Sequence, residues 1–199
     1  MEAAEQHPDR TRWNARYSAG HVPSFAPHPL ALAALALDLP AGPVLELACG
    51  PSGSALAAAA AGRRVTAVDI SDVALGLLAG EARARGLGSL ISLVHADLGS
   101  WRPDLASYAL VLCTGYWDRE LFTVAAQATR PAGALAWEAF TEAARLDRPH
   151  LPAQWCLRHG EPASLLAADY HVLLNKPTDR ERGRTWQLLA RRAAAEPAD

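Results

Sequence analysis

The sequence predicts an α/β fold: a doubly wound, mostly parallel sheet of seven strands between helix layers, ending in an antiparallel hairpin. Two observations carry this reading. From residue 43 onward, short apolar segments alternate with helix-length, alanine-rich segments, which is the pattern of βαβ units. Near the end, "DYHVLLNK" (169–176) and "GRTWQLLARR" (183–192) are joined by a short polar turn, and strands joined so closely pair antiparallel. The length, 199 residues, fits one domain with a full core.

Each element has its own justification. Residues 1–27 are polar with interspersed aromatics ("RWNARYSAGHVPSF") and read as an arm or lid. "HPLALAALALDL" (28–39) reads as a helix closed by Pro40 and Gly42. "PVLEL" (43–47) is the first strand, and "SGSALAAAAAG" (52–62) is a helix of strong formers stopped by Gly62. "RVTAVDI" (64–70) is a β-branched strand. "SDVALGLLAGEARARG" (71–86) is a helix with Ser71 as N-cap and Gly86 as its stop. "LISLVHA" (90–96), "YALVLCTG" (108–115) and "ALAWEAF" (134–140) are strands, with a helix over 118–130 between the last two. "EPASLLAA" (161–168) reads as a short helix before the hairpin, and the tail 193–199 as frayed. No internal repeat or linker divides the chain. The expectation is one domain, 1–199: the arm (1–27), a cofactor-binding half (28–140), and a substrate-side half with the hairpin (141–199).

Composition excludes several partners. Half the residues are hydrophobic and the net charge is −2, which argues against disorder and against nucleic acid or an anionic membrane as partner. The three cysteines, Cys49, Cys113 and Cys156, are odd in number and far apart, so no disulfide framework is indicated. Cys156-x-x-His159, with His150 upstream, lacks a second close pair, so no metal site is expected. The start "MEAAEQHPDRTRW" is not a signal sequence, and "LALAALALDLPAG" is too short to span a bilayer. A cytoplasmic protein, monomeric or weakly dimeric, is the expectation.

The chemistry centres on "VLELACGPSG" (44–53). In a doubly wound sheet, ligands bind beyond the carboxyl ends of the strands, and this first strand-to-helix loop lies there. A Walker loop is excluded, because no lysine is near. Glu46, at the end of the strand, opposes a pyrophosphate and suits a cationic ligand. Gly50 lets backbone approach a ligand closely. Asp69 ends the second strand and is placed to accept hydrogen bonds from ribose hydroxyls. Capping of the next helix is the bland alternative for it. Asp97, in "HADL", adds a third strand-end acid, which can accept from an adenine amino group.

In this order, "VLELACGPSGSALAAAAAGRRVTAVDIS", "VHADL", "YALVLCTGYWDRELF" and "RPAGALAWEAF" resemble the successive motifs of class I S-adenosylmethionine-dependent methyltransferases. The closest similarity is to the small bacterial enzymes of the tellurite-resistance type, over residues from about Trp13 to the end. The resemblance implies a seven-stranded sheet with the last strand inserted antiparallel, and S-adenosylmethionine as cofactor. It implies that Glu46 lies near the methionine amino end, with Ala48, Gly50, Ser52 and Gly53 supporting the methionine part. Asp69 and Ile70 then hold the ribose, Asp97 and Leu98 the adenine, and Cys113 lines the cofactor. Tyr17 on the arm, with Tyr116 and Trp117 after the fourth strand, faces a small-molecule substrate. Ala48 and Ser52 stand where the family usually has glycine. Restoring glycine at Ser52 is expected to leave binding equal or tighter and to cost a little stability. No catalytic base is assigned: "CTGYWDRELF" contains no histidine, and nothing in the sequence positions His150 or His159. The competing readings are a nicotinamide-dependent oxidoreductase, from A-x-G-x-x-G and Asp69, and a non-catalytic cofactor-binding protein.

Overall fold

The computed structural model describes residues 7–20, 23–180 and 183–195. The tail expected to fray lies partly outside them, over 196–199. Seven strands form one sheet in the order β3-β2-β1-β4-β5-β7-β6. The strands are β1 (Val44–Leu47), β2 (Val65–Asp69), β3 (Ile91–His95), β4 (Tyr108–Thr114), β5 (Thr129–Phe140), β6 (Tyr170–Arg180) and β7 (Gly183–Arg192). β1 to β5 pair in parallel. β7 is inserted antiparallel between β5 and β6.

The helices are α1 (Pro8–Ser18), α2 (Pro29–Leu35), α3 (Gly53–Ala60), α4 (Asp72–Ala84), α5 (Arg119–Ala128) and α6 (Glu161–Ser164). Alternation along the strands divides the core in two. Leu45, Leu47, Val111, Cys113, Leu135 and Trp137 face α5, while Val44, Ala67, Leu110, Leu112, Ala134 and Ala136 face α2, α3 and α4. The continuous apolar run of β4 is buried throughout, as a central parallel strand with helices on both faces must be.

Several elements differ from the sequence reading. The arm contains a helix, α1. Its signals are a proline in the first turn, an acid at Asp9, and His7 Nδ1 accepting from the Asp9 N–H at 3.2 Å. α2 ends at Leu35, and the next residues form tight turns instead of continuing the helix. β5 starts at Thr129, five residues earlier than expected. Ala132 takes φ 62° within it, and the register against β4 shifts between Tyr108 and Leu110. α6 is a single turn, Glu161–Ser164. β6 runs on through Pro177, which an edge strand tolerates because one side of it needs no N–H.

Candidate functional site

The strand order reverses between β2-β1 and β4-β5, so the C-terminal ends of β1 and β4 flank a crevice. The loop after β1 enters it with Ala48 at φ 48° and Gly50 at φ 56°. Ala48 thus adopts the left-handed conformation that glycine adopts freely, at a cost of roughly 1–2 kcal/mol. The Cys49 N–H donates to the Val68 carbonyl at 3.1 Å and holds the loop against β2. A β-carbon at Gly50 would come within 2.9 Å of the Tyr17 hydroxyl. The arm tyrosine therefore lies directly over the loop. Gly53 has a different task. A β-carbon there would lie 2.3 Å from the Phe25 carbonyl oxygen and 2.5 Å from Ala26 backbone atoms. Its bare α-carbon seats the arm against α3, a packing role that the motif alone did not suggest.

Glu46 and Asp69 are both buried at the strand ends. The Ser52 hydroxyl contacts the two Glu46 oxygens at 2.8 and 2.7 Å. Burial pushes the Glu46 carboxyl up to about 8, against the lowering effect of Ser52 and with a further rise from Asp69. Ser52 Oγ also accepts from the Ala55 N–H at 3.0 Å and caps α3. Ser52 is thus a structural partner of Glu46 and not merely a small substitute for glycine. Ser52→Gly removes a donor to a buried carboxyl as well as a cap. It is expected to lower the unfolding free energy by about 1–3 kcal/mol, more than the small loss expected from backbone freedom alone. Urea unfolding measures this directly.

Asp69 Oδ2 accepts from the Gly50 N–H at 2.7 Å and Oδ1 from the Ser71 N–H at 2.8 Å. The carboxylate therefore ties the glycine loop to the start of α4. Each oxygen retains a second lone pair. The helix cap is Ser71, whose Oγ accepts from the Ala74 N–H at 3.1 Å, so Asp69 is not the cap. Burial raises the Asp69 carboxyl above its ordinary value, opposed by the N–H groups of Ser71, Gly50 and Ile70.

The adenine-side residues follow. Asp97 is half-buried, and its Oδ1 accepts from the Gly99 N–H at 2.9 Å, which fixes the loop after β3. Ile70 is half-buried, and its carbonyl oxygen lies 3.0 Å from His95 Nε2. Leu98 is buried in the α5-side core. Near the end of β4, the Cys113 thiol is buried and 3.7 Å from the Tyr116 carbonyl. Tyr116 is half-buried, with its hydroxyl pushed well above the ordinary range by burial and by Asp118. Trp117 is a correction. It is 4% exposed and packs edge-on against Trp137, at 6.2 Å between ring centroids, and against Phe122 at 5.5 Å. It belongs to the core and is not a pocket wall. Its place before α5 gave no indication of which way the ring turns.

The arm closes over this edge. Arg10 Nε and Asn14 Nδ2 both donate to Asp72 Oδ1 at 2.8 Å, and Asn14 Oδ1 accepts from the Ser71 hydroxyl at 2.6 Å. Arg12 stacks on Trp155 at 4.6 Å, and Trp13 stacks on Tyr17. Asn14, within "WNARY", is a contact that sequence reasoning did not assign. Among the described residues no group of three or more His, Cys, Asp or Glu is placed to hold a metal ion. His159 instead lies edge-on to Trp186. Also among the described residues, no helix is long and apolar enough to cross a membrane.

The edge thus sets a glycine loop, covered by Tyr17, beside three carboxyl groups in order along β1, β2 and β3. That set fits a nucleoside with a cationic far end. Residues 44–133 match a family described as a methyltransferase domain. No curated protein matches the sequence. Among solved structures, one reported for the conversion of a disulfide bond into a thioacetal group during echinomycin biosynthesis is similar with TM-score 0.69 and 19% identity, over 94% of each chain. Geranyl diphosphate C-methyltransferase from Streptomyces coelicolor A3(2), solved with Mg2+, geranyl diphosphate and S-adenosyl-L-homocysteine, is similar with TM-score 0.68 and 12% identity, over 95% of this chain and 100% of that one. An S-adenosylmethionine-dependent methyltransferase from Mesorhizobium loti is similar with TM-score 0.63 and 18% identity, over 81% of this chain and 96% of that one.

Proposed function

We propose that the protein transfers a methyl group from S-adenosylmethionine to a small-molecule nucleophile, because residues 44–133 match a methyltransferase-domain family and lie on a doubly wound sheet. The observation that carries this reading is the set of three acids, Glu46, Asp69 and Asp97, at successive strand ends around a glycine loop without a phosphate cradle. Glu46 would sit by the methionine amino end, Asp69 would accept from the ribose hydroxyls, and Asp97 would meet the adenine. When bound, the cofactor supplies an electrophilic methyl group on a sulfonium.

The chain's own work is to bind, orient and exclude water. Holding two reactants at near-attack distance supplies on the order of 7–11 kcal/mol in favourable cases. Tyr17, above Gly50, and the half-buried Tyr116, after β4, would border the acceptor. No dedicated base is expected in the segment after β4. Asp118 accepts from the Leu121 N–H at 2.7 Å as the cap of α5, and Glu120 is exposed in its first turn. The acceptor therefore brings its own nucleophilicity, as a thiolate, an amine or a soft chalcogen anion does. The last would fit the tellurite-resistance type that the motifs resemble. Support for a small acceptor comes from the S. coelicolor neighbour, solved with geranyl diphosphate. The cysteines, which form no disulfide, accord with a reducing, cytoplasmic setting.

A nicotinamide oxidoreductase accounts for neither Glu46 nor Asp97 at the strand ends. A non-catalytic cofactor binder is separated by turnover. Incubation with methyl-labelled S-adenosylmethionine and a panel of thiols, amines and selenols should transfer label to at least one acceptor. The rate should rise with pH along that acceptor's own ionisation. Binding without label transfer to any of them would favour the non-catalytic reading.

A further inference from the structure

The sheet order divides the active edge in two. If the nucleoside occupies the ends of β3, β2 and β1, as proposed above, the acceptor must approach from the β4-β5-β7 side. Among the described residues of β4, β5 and β7, Glu138 is the one buried charge, at 5% exposure. It shares a sheet face with Glu46. Glu46 pairs with Leu112 and Leu112 with Ala136, and Glu138 lies two residues further toward the open edge. It pairs with Thr114, and the Gly115 N–H donates to its carbonyl at 2.7 Å, so it adjoins the segment that leads to Tyr116.

Its carboxylate is held in place from two sides. From β7, the Thr185 hydroxyl donates to Oε1 at 2.9 Å and the Gln187 amide donates to Oε2. From the arm side, His28 Nε2 lies 3.4 Å from Oε2. His28 is in turn fixed: its Nδ1 accepts from the Leu30 N–H at 3.2 Å, and its own N–H donates to Ser54 Oγ in the first turn of α3 at 3.0 Å. The polar groups thus run in a row from the glycine-loop helix to β7. Burial raises the Glu138 carboxyl, but the bonds from His28, Gln187 and Thr185 outweigh burial and leave it below the usual range. Deeper along the same face the neighbours are Ala136 and Leu189. An ionised carboxylate held rigidly this near the open edge is an arrangement found at sites that recognise charge.

We infer that Glu138, oriented by Thr185, Gln187 and His28, is the specificity-determining residue of the acceptor pocket, and that it selects acceptors carrying a cationic nitrogen group. This rests on the methyltransferase reading. The anchored nitrogen need not be the atom that is methylated.

The test compares three probes with one skeleton: phenethylamine, 2-phenylethanol and 3-phenylpropionate. They are titrated into the protein loaded with S-adenosylhomocysteine, and binding is followed by ligand-observed NMR. The ammonium compound should bind at least tenfold more tightly than the carboxylate, with the alcohol between them. In Glu138→Gln that ratio should fall to within about twofold, while affinity for S-adenosylhomocysteine stays unchanged. Equal affinities, a preference for the carboxylate, or no binding by any probe in the wild type overturns the inference, whether or not the variant folds. A tenfold preference that survives in Glu138→Gln also overturns it. Failure of S-adenosylhomocysteine itself to bind would instead remove the methyltransferase reading, and this inference with it.

Discussion

Asp69→Ala is expected to weaken S-adenosylhomocysteine binding by at least tenfold and to destabilise the free protein at the same time. Two separate losses combine. The first is the pair of hydrogen bonds proposed to the ribose, each to a charged acceptor and contributing roughly 1.5–3 kcal/mol. The second concerns the loop itself. Asp69 binds the Gly50 N–H at 2.7 Å and the Ser71 N–H at 2.8 Å, and alanine leaves both donors without it in a buried position. An unsatisfied buried donor costs about 1–3 kcal/mol. Ser71 still caps α4, so the helix itself should persist. Calorimetric titration beside thermal unfolding separates the two losses. A variant that melts earlier but binds the cofactor product as tightly as wild type would leave Asp69 as a loop brace and remove its ribose role.

Cofactor affinity should also depend steeply on pH through Glu46. In the folded free protein burial pushes this carboxyl up to about 8, against 4.5 in an unfolded chain. For stability the sign follows directly. Between those two values the unfolded chain has released the proton and the folded one retains it. Rising pH therefore costs stability across that window, and the contribution levels off above about 8. For binding the sign reverses. A cationic ligand beside Glu46 favours the carboxylate, so binding releases a proton and tightens as pH rises toward 8, by up to tenfold per pH unit. The ligand's own amino group titrates near this range, and Glu46→Gln isolates the protein's part. The variant should bind more weakly at pH 8 and lose most of the slope below it. Titrations in buffers of different ionisation enthalpy count the protons released. No proton release in the wild type, or the same slope in Glu46→Gln, would contradict this role.

What was legible in the sequence was periodic or local. The alternation of β-branched and alanine-rich segments gave all seven strands, and the short polar turn gave the antiparallel hairpin. Glu46 and Asp69 could be placed because each sits at the end of a strand, and Gly50 because it lies in the short loop that follows β1, where position along the chain fixes position at the edge. Ser71 could be read as a cap because capping is set within four residues. The misses needed information the pattern does not hold. Trp117 lies in a non-repeating loop, so no period says which face its ring meets. α1 has little apolar character and no buried residue, and the signal present, His7-Pro8-Asp9, is a cap without an amphipathic stripe behind it. The part of Ser52 depends on a carboxyl two turns of chain away in a different element. His28 and Glu138 are brought together only by the packing of α2 on β5, and neither residue type in its own context announces the other.

The central claim is that the edge formed by Glu46, Gly50, Asp69 and Asp97 is built for a nucleoside with a cationic end and not for a pyrophosphate. Isothermal titration of the purified protein with S-adenosylhomocysteine, and in parallel with NAD and ATP, tests it most directly. The account predicts one saturable site for S-adenosylhomocysteine, with NAD and ATP at least a hundredfold weaker. No heat from the sulfur compound up to millimolar concentration, or tighter binding of NAD, would contradict it.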